Sequence, residues 1–563
     1  MFKRRVKPSR EIYPDEIFVD SVNPSNLDLS QMEGRAEHPL SLNVFWGLGS
    51  VFVLIALVFL SKLWVLQVVE GSQYRAFSEN NRFQYIPILS ERGFIYSKDG
   101  KELAWNEINK ESGIYRAYSD IKGMAHVVGY SKPPMKDSSG VFYREVYEGV
   151  AGVEKFFNEE LNGENGLKFV EHDAQGKVYS ESLIQAPKLG ENINLTIDAD
   201  LQDALYNFLQ ETSEASSFKG GAGLMMDIET GDLLAAVTFP EYDSSVLSAG
   251  DDSELIDSFI NDERRPFLNR FSQGVFSPGS IVKPFMAVAA LEEGIINPSD
   301  RVDSPLSISI PNPYNPAQPT VFRDWRNHGS VDLYEAIAFS SNVYFYKIGG
   351  GYKSIEGLGI SRIEEYMKLF GFGDYVGSDF TESKGNVPTP TWKQENFSDG
   401  VWRVGDTYHT AIGQFGFQTT PLQIVRAVAS LANGGYLLTP KLTSESEVIK
   451  EKLDFKDENF TDVREGMRLA VTKGTASGLN LPFIKVAAKT GTAQTGVNNE
   501  SMNSWVMGFF PYDNPKYAFA VVLDDGPSGT VIGGVYVMWE LLDWISKNRP
   551  EYLESNDSLG ELN

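Results

Sequence analysis

Residues 42 to 60 read LNVFWGLGSVFVLIALVFL, and the apolar character resumes after Ser61-Lys62 as LWVLQVV. A run of about 20 such residues crosses the hydrocarbon of a bilayer as a helix. Few core helices of soluble proteins are apolar all round for this length. The run is also longer than a usual signal-peptide core and lacks a clear small-x-small exit. It therefore divides the chain into a short leading segment and a long body. Lys3, Arg4, Arg5, Lys7 and Arg10, with Arg35 nearest the span, favour an N-terminus inside and a body outside the cytoplasm.

At 563 residues the chain is too long for one ordinary core. It has no cysteine, so disulfides, thiolate nucleophiles and cysteine metal sites are impossible. A formal charge of -26, with no dense Lys/Arg stripe, argues against a nucleic-acid surface. Residues 1 to 41 read as a polar tail, 42 to 66 as the anchor, 67 to 217 as a spacer, 218 to 550 as the main domain and 551 to 563 as a flexible tail.

From Gly221, AGLMMDI and LLAAVTF flank Glu229-Thr230-Gly231-Asp232; near the other end SWVMGFF and YAFAVVL flank a second turn, with KVAAKTGTA just before. Hairpins at both ends with helical segments between them predict one antiparallel sheet with a helical insertion, an α/β (α+β) fold.

Three polar clusters fall in this region. Ser280-Ile281-Val282-Lys283 follows Pro278-Gly279 and precedes a helical run, which puts Ser280 near a helix start with Lys283 one turn along on the same face. Pro284 fits because it falls in the first turn. A serine hydroxyl needs a base, and a buried, neutral Lys283 would supply one. Ser340-Ser341-Asn342 lies between two helical runs, where Ser340 can relay a proton and Asn342 can hold an amide. Lys489-Thr490-Gly491-Thr492 follows a strand-like run: Lys489 raises the local positive potential, both threonine hydroxyls suit a carboxylate, and Gly491 permits close approach. The Thr492 backbone N–H would join that of Ser280 as an oxyanion donor. Taken singly, each cluster also reads as a cap or turn. Together they form a kit for acyl transfer through a serine ester.

His38, His126, His172, His328 and His409 are scattered without HExxH spacing, and the Walker spacing is absent, so neither a metal nor a nucleotide cofactor is expected. The sequence leaves open a triad using His328 or His409, although the glycine-flanked nucleophile elbow is missing.

With these motifs in hand, the chain resembles the class B penicillin-binding proteins, the monofunctional DD-transpeptidases of peptidoglycan synthesis. SxxK stands as Ser280 to Lys283, SxN as Ser340 to Asn342, and KTGT as Lys489 to Thr492. Asn81-Arg82, Arg92-Gly93-Phe94-Ile95-Tyr96, Gly149 to Lys155, Asp227 to Ala235, Ile412-Gly413-Gln414 and Thr420 to Gln423 also look like the family. The resemblance implies a pedestal of the dimerisation type before a transpeptidase domain. It also implies that Ser280 attacks the penultimate D-alanine of a stem peptide, Lys283 acts as base, and Ser340 with Lys489 carries the proton. Asn342 would then orient the amide, and Thr490, Gly491 and Thr492 would hold the carboxylate and oxyanion.

β-Lactams would acylate Ser280, and partners would include a cell-wall glycosyltransferase and morphogenetic membrane proteins. Arg323-Asp324-Trp325 and the spacer segments resemble the elongation branch, penicillin-binding protein 2. A septal role, a β-lactam sensor or β-lactamase, and a noncatalytic scaffold are the alternatives. Phe415 stands where the family usually has glycine, and Ser97-Lys98 where an Asp-Arg pair is common.

Overall fold

The computed structural model describes residues 41–75, 83–109, 113–138, 141–173, 177–312, 315, 317–496 and 500–553. The expected leading tail, up to residue 40, and residues 554–563 of the expected flexible tail lie outside the described residues. Two compact units are present, Met1–Gln84 with Val170–Glu181, and Tyr85–Phe169 with Ser182–Asn563. In the first, α1 (Leu42–Trp64) continues into one wider turn at Val65–Val69, and none of its residues is buried. It is long and apolar enough to cross a membrane.

The second unit opens with a sheet of four strands, β1 (Ile95–Tyr96), β2 (Glu102–Asn109), β3 (Gly113–Tyr118) and β4 (Ile193–Asn194), in the order β4-β1-β2-β3. Beside it sits a fully buried ion triad. The Arg92 guanidinium donates from Nε to Glu154 Oε2 at 2.6 Å, and that of Arg116 from Nε to Glu154 Oε1 at 2.7 Å. Arg92 also donates to Asn162 Oδ1 and to the Glu154 carbonyl. Two of the family-like segments, one carrying Arg92 and the other Glu154, therefore meet here. Burial pushes the Glu154 carboxyl up, but the two guanidiniums outweigh it and hold it below its ordinary value.

The main domain follows. Helix α2 (Ala199–Ala215) starts at Asp198, whose side chain accepts from the N–H groups of Asp200 and Leu201. Strands β5 (Gly220–Asp227) and β6 (Leu233–Phe239) form the first hairpin; Asp227 Oδ1 accepts from Glu229 N and Thr230 N, and Gly231 takes φ +80° to close the turn. The chain then runs through helices that include α3 (Lys283–Glu292), α4 (Leu333–Ala338), α5 (Asn342–Gly350), α6 (Pro421–Ala432) and α7 (Asp457–Thr472). It returns as β7 (Ala487–Thr495), β8 (Ser501–Phe510) and β9 (Tyr517–Pro527) and ends in α8 (Gly534–Asn548).

The sheet order is β6-β5-β9-β8-β7, antiparallel throughout, with Gly220 opposite Asp524 and Asp227 opposite Tyr517. Both faces are covered, which is why the strands are near-continuous apolar runs. Leu224 and Met226 join one core with Leu422 and Val425 of α6, while Met225 points the other way toward Leu205 of α2 and Leu541 of α8. The expected sheet built from both ends of the domain is what is observed.

Helix α2 lies before the expected boundary at 217, yet its apolar face packs on the main sheet. The spacer residues 85–169 also share one compact unit with the main domain. The Glu241 carboxylate accepts from Gly123 N and Ala125 N, and Tyr242 Oη donates to the Ala125 carbonyl. Pro550–Tyr552 forms a turn rather than a frayed end: Tyr552 is buried and its hydroxyl donates to Asp198 Oδ2 at 2.9 Å.

Removing one member of a buried ion group leaves the others uncompensated. Glu154→Ala is expected to destabilise the second unit by about 3–5 kcal/mol, measured by denaturant unfolding. Because the folded Glu154 carboxyl lies low, its contribution is present above the unfolded value and lost as pH falls through the folded one. A variant as stable as the parent at neutral pH would refute this account.

Candidate active site

Ser280 sits in a tight 3-10 turn, Gly279–Val282, that leads directly into α3, with Pro284 in the first helical turn. The turn is pressed against the outer strand of the sheet. A Cβ added to Gly491 would lie 2.8 Å from the Pro278 carbonyl oxygen and 2.9 Å from Ile281 Cγ2, and one added to Gly279 would lie 3.1 Å from the Thr492 carbonyl oxygen. Gly491 is therefore required by contact rather than by backbone torsion. The sequence allows Lys489 to Thr492 to be a strand-end turn, but the four residues lie within β7, paired to Met507, Val506, Trp505 and Ser504. From the other side, Gly279 N donates to the Gly413 carbonyl at 3.0 Å, and Trp505 Nε1 donates to the Ser277 carbonyl at 3.0 Å.

Lys283 and Lys489 are fully buried and converge on one hydroxyl. Lys283 Nζ lies 2.8 Å from the Ser340 carbonyl oxygen, 2.7 Å from Asn342 Oδ1 and 3.2 Å from Ser340 Oγ. Lys489 Nζ donates to Ser340 Oγ at 2.9 Å and to the Thr490 carbonyl at 2.7 Å. Burial pulls the Lys283 amine down to about 7, opposed by the Asp324 carboxylate. Burial also lowers Lys489 well below its ordinary value, and the charge of Lys283 adds to the effect. The sequence spacing puts Lys283 on the face of Ser280; the structure turns its amine to the Ser340–Asn342 segment. Among the described residues no side chain hydrogen-bonds the Ser280 hydroxyl.

Ser340 joins α4 to α5 with φ +57°, a left-handed conformation that costs a non-glycine residue about 1–2 kcal/mol. The turn is held by Asp324, which the sequence reading used only as a branch marker. Its Oδ2 accepts from Ser341 Oγ at 3.0 Å and from Val343 N at 2.8 Å, and Ser304 and Ser341 share a hydroxyl contact at 2.5 Å. Thr475 was also unforeseen; its hydroxyl accepts from Thr490 Oγ1 at 2.7 Å. Both contacts join segments distant in sequence, which local patterns do not reveal.

Phe415 takes φ +59° without being glycine. It is caged by stacked Phe397 at 5.6 Å, by Trp392 and Trp402 edge-on, and by Lys393 Nζ, 5.4 Å from its ring. Such aromatic pairs contribute about 0.5–1.5 kcal/mol each, enough to offset the left-handed backbone. The cage fixes the loop whose Gly413 meets Gly279.

A cleft of 870 Å³ opens over these groups, lined by Ser280, Ser340, Asn342, Thr490, Gly491, Thr492 and Trp325 among others. His409 lines its wall, packed against Phe322 and Tyr346, and no hydrogen bond among the described residues joins it to Ser280. His328 Nε2 lies 3.4 Å from Asp324. Neither histidine is assembled with Ser280 into a triad. A larger cleft of 1170 Å³, lined by Trp105, Tyr115 and Asp203 among others, contains none of the three motifs. Asp99, Asp198 and Asp200 converge as a metal site would require, but Lys101 and Arg549 form ion pairs with them.

The penicillin-binding protein transpeptidase domain matches residues 221–534, and the penicillin-binding protein dimerisation domain matches residues 105–195. The chain belongs to the penicillin-binding protein transpeptidase family. This penicillin-binding protein is 28% identical to the peptidoglycan D,D-transpeptidase MrdA of Escherichia coli K12, over 88% of its own length and 92% of the relative's. Among solved structures it is similar to Pseudomonas aeruginosa PBP2 in complex with WCK 5153, with TM-score 0.70, 29% identity, and coverage of 84% of this chain and 99% of that one. It is likewise similar to a complex between PBP2 and MreC from Helicobacter pylori, with TM-score 0.70, 25% identity, and coverage of 84% and 100%.

The contact at Gly491 gives a direct test. Gly491→Ala would force the Ser280 turn off the strand edge, and the rate of covalent labelling by a penicillin is expected to fall at least about tenfold. An unchanged rate would show that the turn tolerates the displacement.

Proposed function

We propose that this penicillin-binding protein is a membrane-anchored peptidoglycan D,D-transpeptidase acting in elongation and cell shape, with Ser280 as nucleophile. The observation that carries the assignment of roles is the convergence of Lys283 and Lys489 on the Ser340 hydroxyl beneath the Ser280 turn. As a neutral amine, Lys283 gives its two N–H groups to acceptor-only oxygens, the Ser340 carbonyl and Asn342 Oδ1. Its lone pair is then free for a proton.

In acylation the Ser280 oxygen attacks the carbonyl of the penultimate D-alanine and its proton passes to Lys283. The backbone N–H groups of Ser280 and Thr492 stabilise the oxyanion. The C–N bond then breaks, and the proton reaches the departing D-alanine amine through Ser340, whose hydroxyl bridges both lysines. In the second half an amine of a neighbouring stem attacks the ester, its proton returns by the same route, and the C–O bond to Ser280 breaks. Thr490 and Thr492 hold the terminal carboxylate, Gly491 admits the chain, and Asn342 orients the donor amide.

Residues 67–217 serve as the pedestal and 218–550 as the transpeptidase domain, with the N-terminus inside and the body extracytoplasmic, as the basic leader favours. The H. pylori relative's assembly with MreC supports docking of a morphogenetic membrane protein, alongside a cell-wall glycosyltransferase. β-Lactams acylate Ser280.

Full-length protein treated with a fluorescent penicillin is expected to carry a stable adduct on Ser280 by peptide mass spectrometry, absent in Ser280→Ala. An adduct elsewhere, or none on folded protein, would overturn the assignment. Because Lys283 must be unprotonated to act as base, the acylation rate should rise with pH through a midpoint of about 7. A flat profile between about pH 5.5 and 8.5 would remove Lys283 from that role.

A further inference from the structure

The carboxylate-binding groups of the proposed mechanism all lie on one wall of the cleft, strand β7. The opposite wall carries a cation without an assigned task. Arg323 ends the second strand of a hairpin, Ser307–Ile310 paired with Thr320–Arg323, in which Phe322 is buried and Arg323 is exposed toward the cleft it lines. Trp325, 56% exposed, lines the same wall, and Arg326 stacks on its ring with Cζ 4.6 Å from the centroid. Among the described residues neither Arg323 nor Arg326 has an ion-pair partner, in a chain whose formal charge is -26. Among the described residues, Asp324 is the one acidic residue lining the cleft. It is 6% exposed, and its oxygens are occupied by Ser341, Val343 N and Trp325 N, so it does not satisfy the neighbouring guanidiniums.

We propose that Arg323, with Trp325 and Arg326 beside it, forms a second anion subsite that recognises a carboxylate carried by the donor peptide ahead of its reacting D-alanyl bond. This rests on the transpeptidase reading above and deepens it by naming the substrate class: an acidic peptide with a free carboxylate in addition to the terminal one. A planar guanidinium pairs with a carboxylate through two parallel hydrogen bonds, and a primary amide in its place both loses the charge and presents donors to donors. The site therefore discriminates acid from amide at that position.

The test uses full-length protein in detergent and two synthetic peptides ending in D-Ala-D-Ala, alike except that the preceding residue bears a free carboxylate or its primary amide. For each peptide, the concentration that half-protects Ser280 from the fluorescent penicillin is measured, and the amide-to-acid ratio is compared between proteins. The parent should favour the acid by about tenfold, a preference that shrinks as salt is raised. Arg323→Gln should bring the ratio near one, and Arg323→Lys should restore part of it, since a point charge lacks the fork. A ratio near one in the parent, or a preference that survives Arg323→Gln, overturns the subsite. Failure of the parent to label at Ser280 overturns the transpeptidase reading, and the subsite with it; labelling without discrimination overturns the subsite alone.

Discussion

Two lysine amines meet at a single serine hydroxyl in a place where neither can be well hydrated, and the architecture around the site follows from that arrangement. A buried ammonium is costly, and two neighbouring ones more so. Every carbonyl and amide oxygen aimed at Lys283 and Lys489 eases that cost, while the mutual repulsion keeps the pair from being fully protonated together. The same burial that penalises charge provides a base near neutrality without a histidine or a metal ligand in the contact set. Lys283, Ser340 and Lys489 are best treated as one proton-holding unit rather than three separate groups.

Such a unit works only if its distances are fixed, and the supports are spread widely through the chain. Asp324 clamps the Ser340 turn, Gly491 lets the Ser280 turn rest on β7, and the aromatic cage around Phe415 braces Gly413 against Gly279. Two of the left-handed non-glycine residues, Ser340 and Phe415, sit where one segment must turn sharply beside the cleft. Their backbone cost is offset by contacts from other elements.

The three motifs were legible because each is local: a serine and lysine one helical turn apart, a hydroxyl and amide two residues apart, and four consecutive strand residues. Alternation and turn chemistry also made the two hairpins, and hence the antiparallel sheet, readable. What the sequence could not convey was direction. Helical spacing put Lys283 beside Ser280, whereas tertiary packing sends its amine to residues 57 and 59 positions onward. Asp324, Thr475 and the meeting of Gly413 with Gly279 were hidden for the same reason. Helix α2, ahead of residue 217, shows its apolar stripe in sequence, but nothing there says which sheet it will cover.

The middle of the main sheet is formed by β5 lying against β9, so Gly220 must find Asp524 across some three hundred residues of intervening chain. During synthesis the segment bearing Ser280, Ser340 and all the helices of the insertion emerges before the strands that complete the floor beneath it. Pairings of such long range close slowly. The serine is thus made early and armed late: until the last strands arrive, Lys489 is absent, the rim at Gly491 does not exist, and the nascent protein is a polypeptide without a reactive centre.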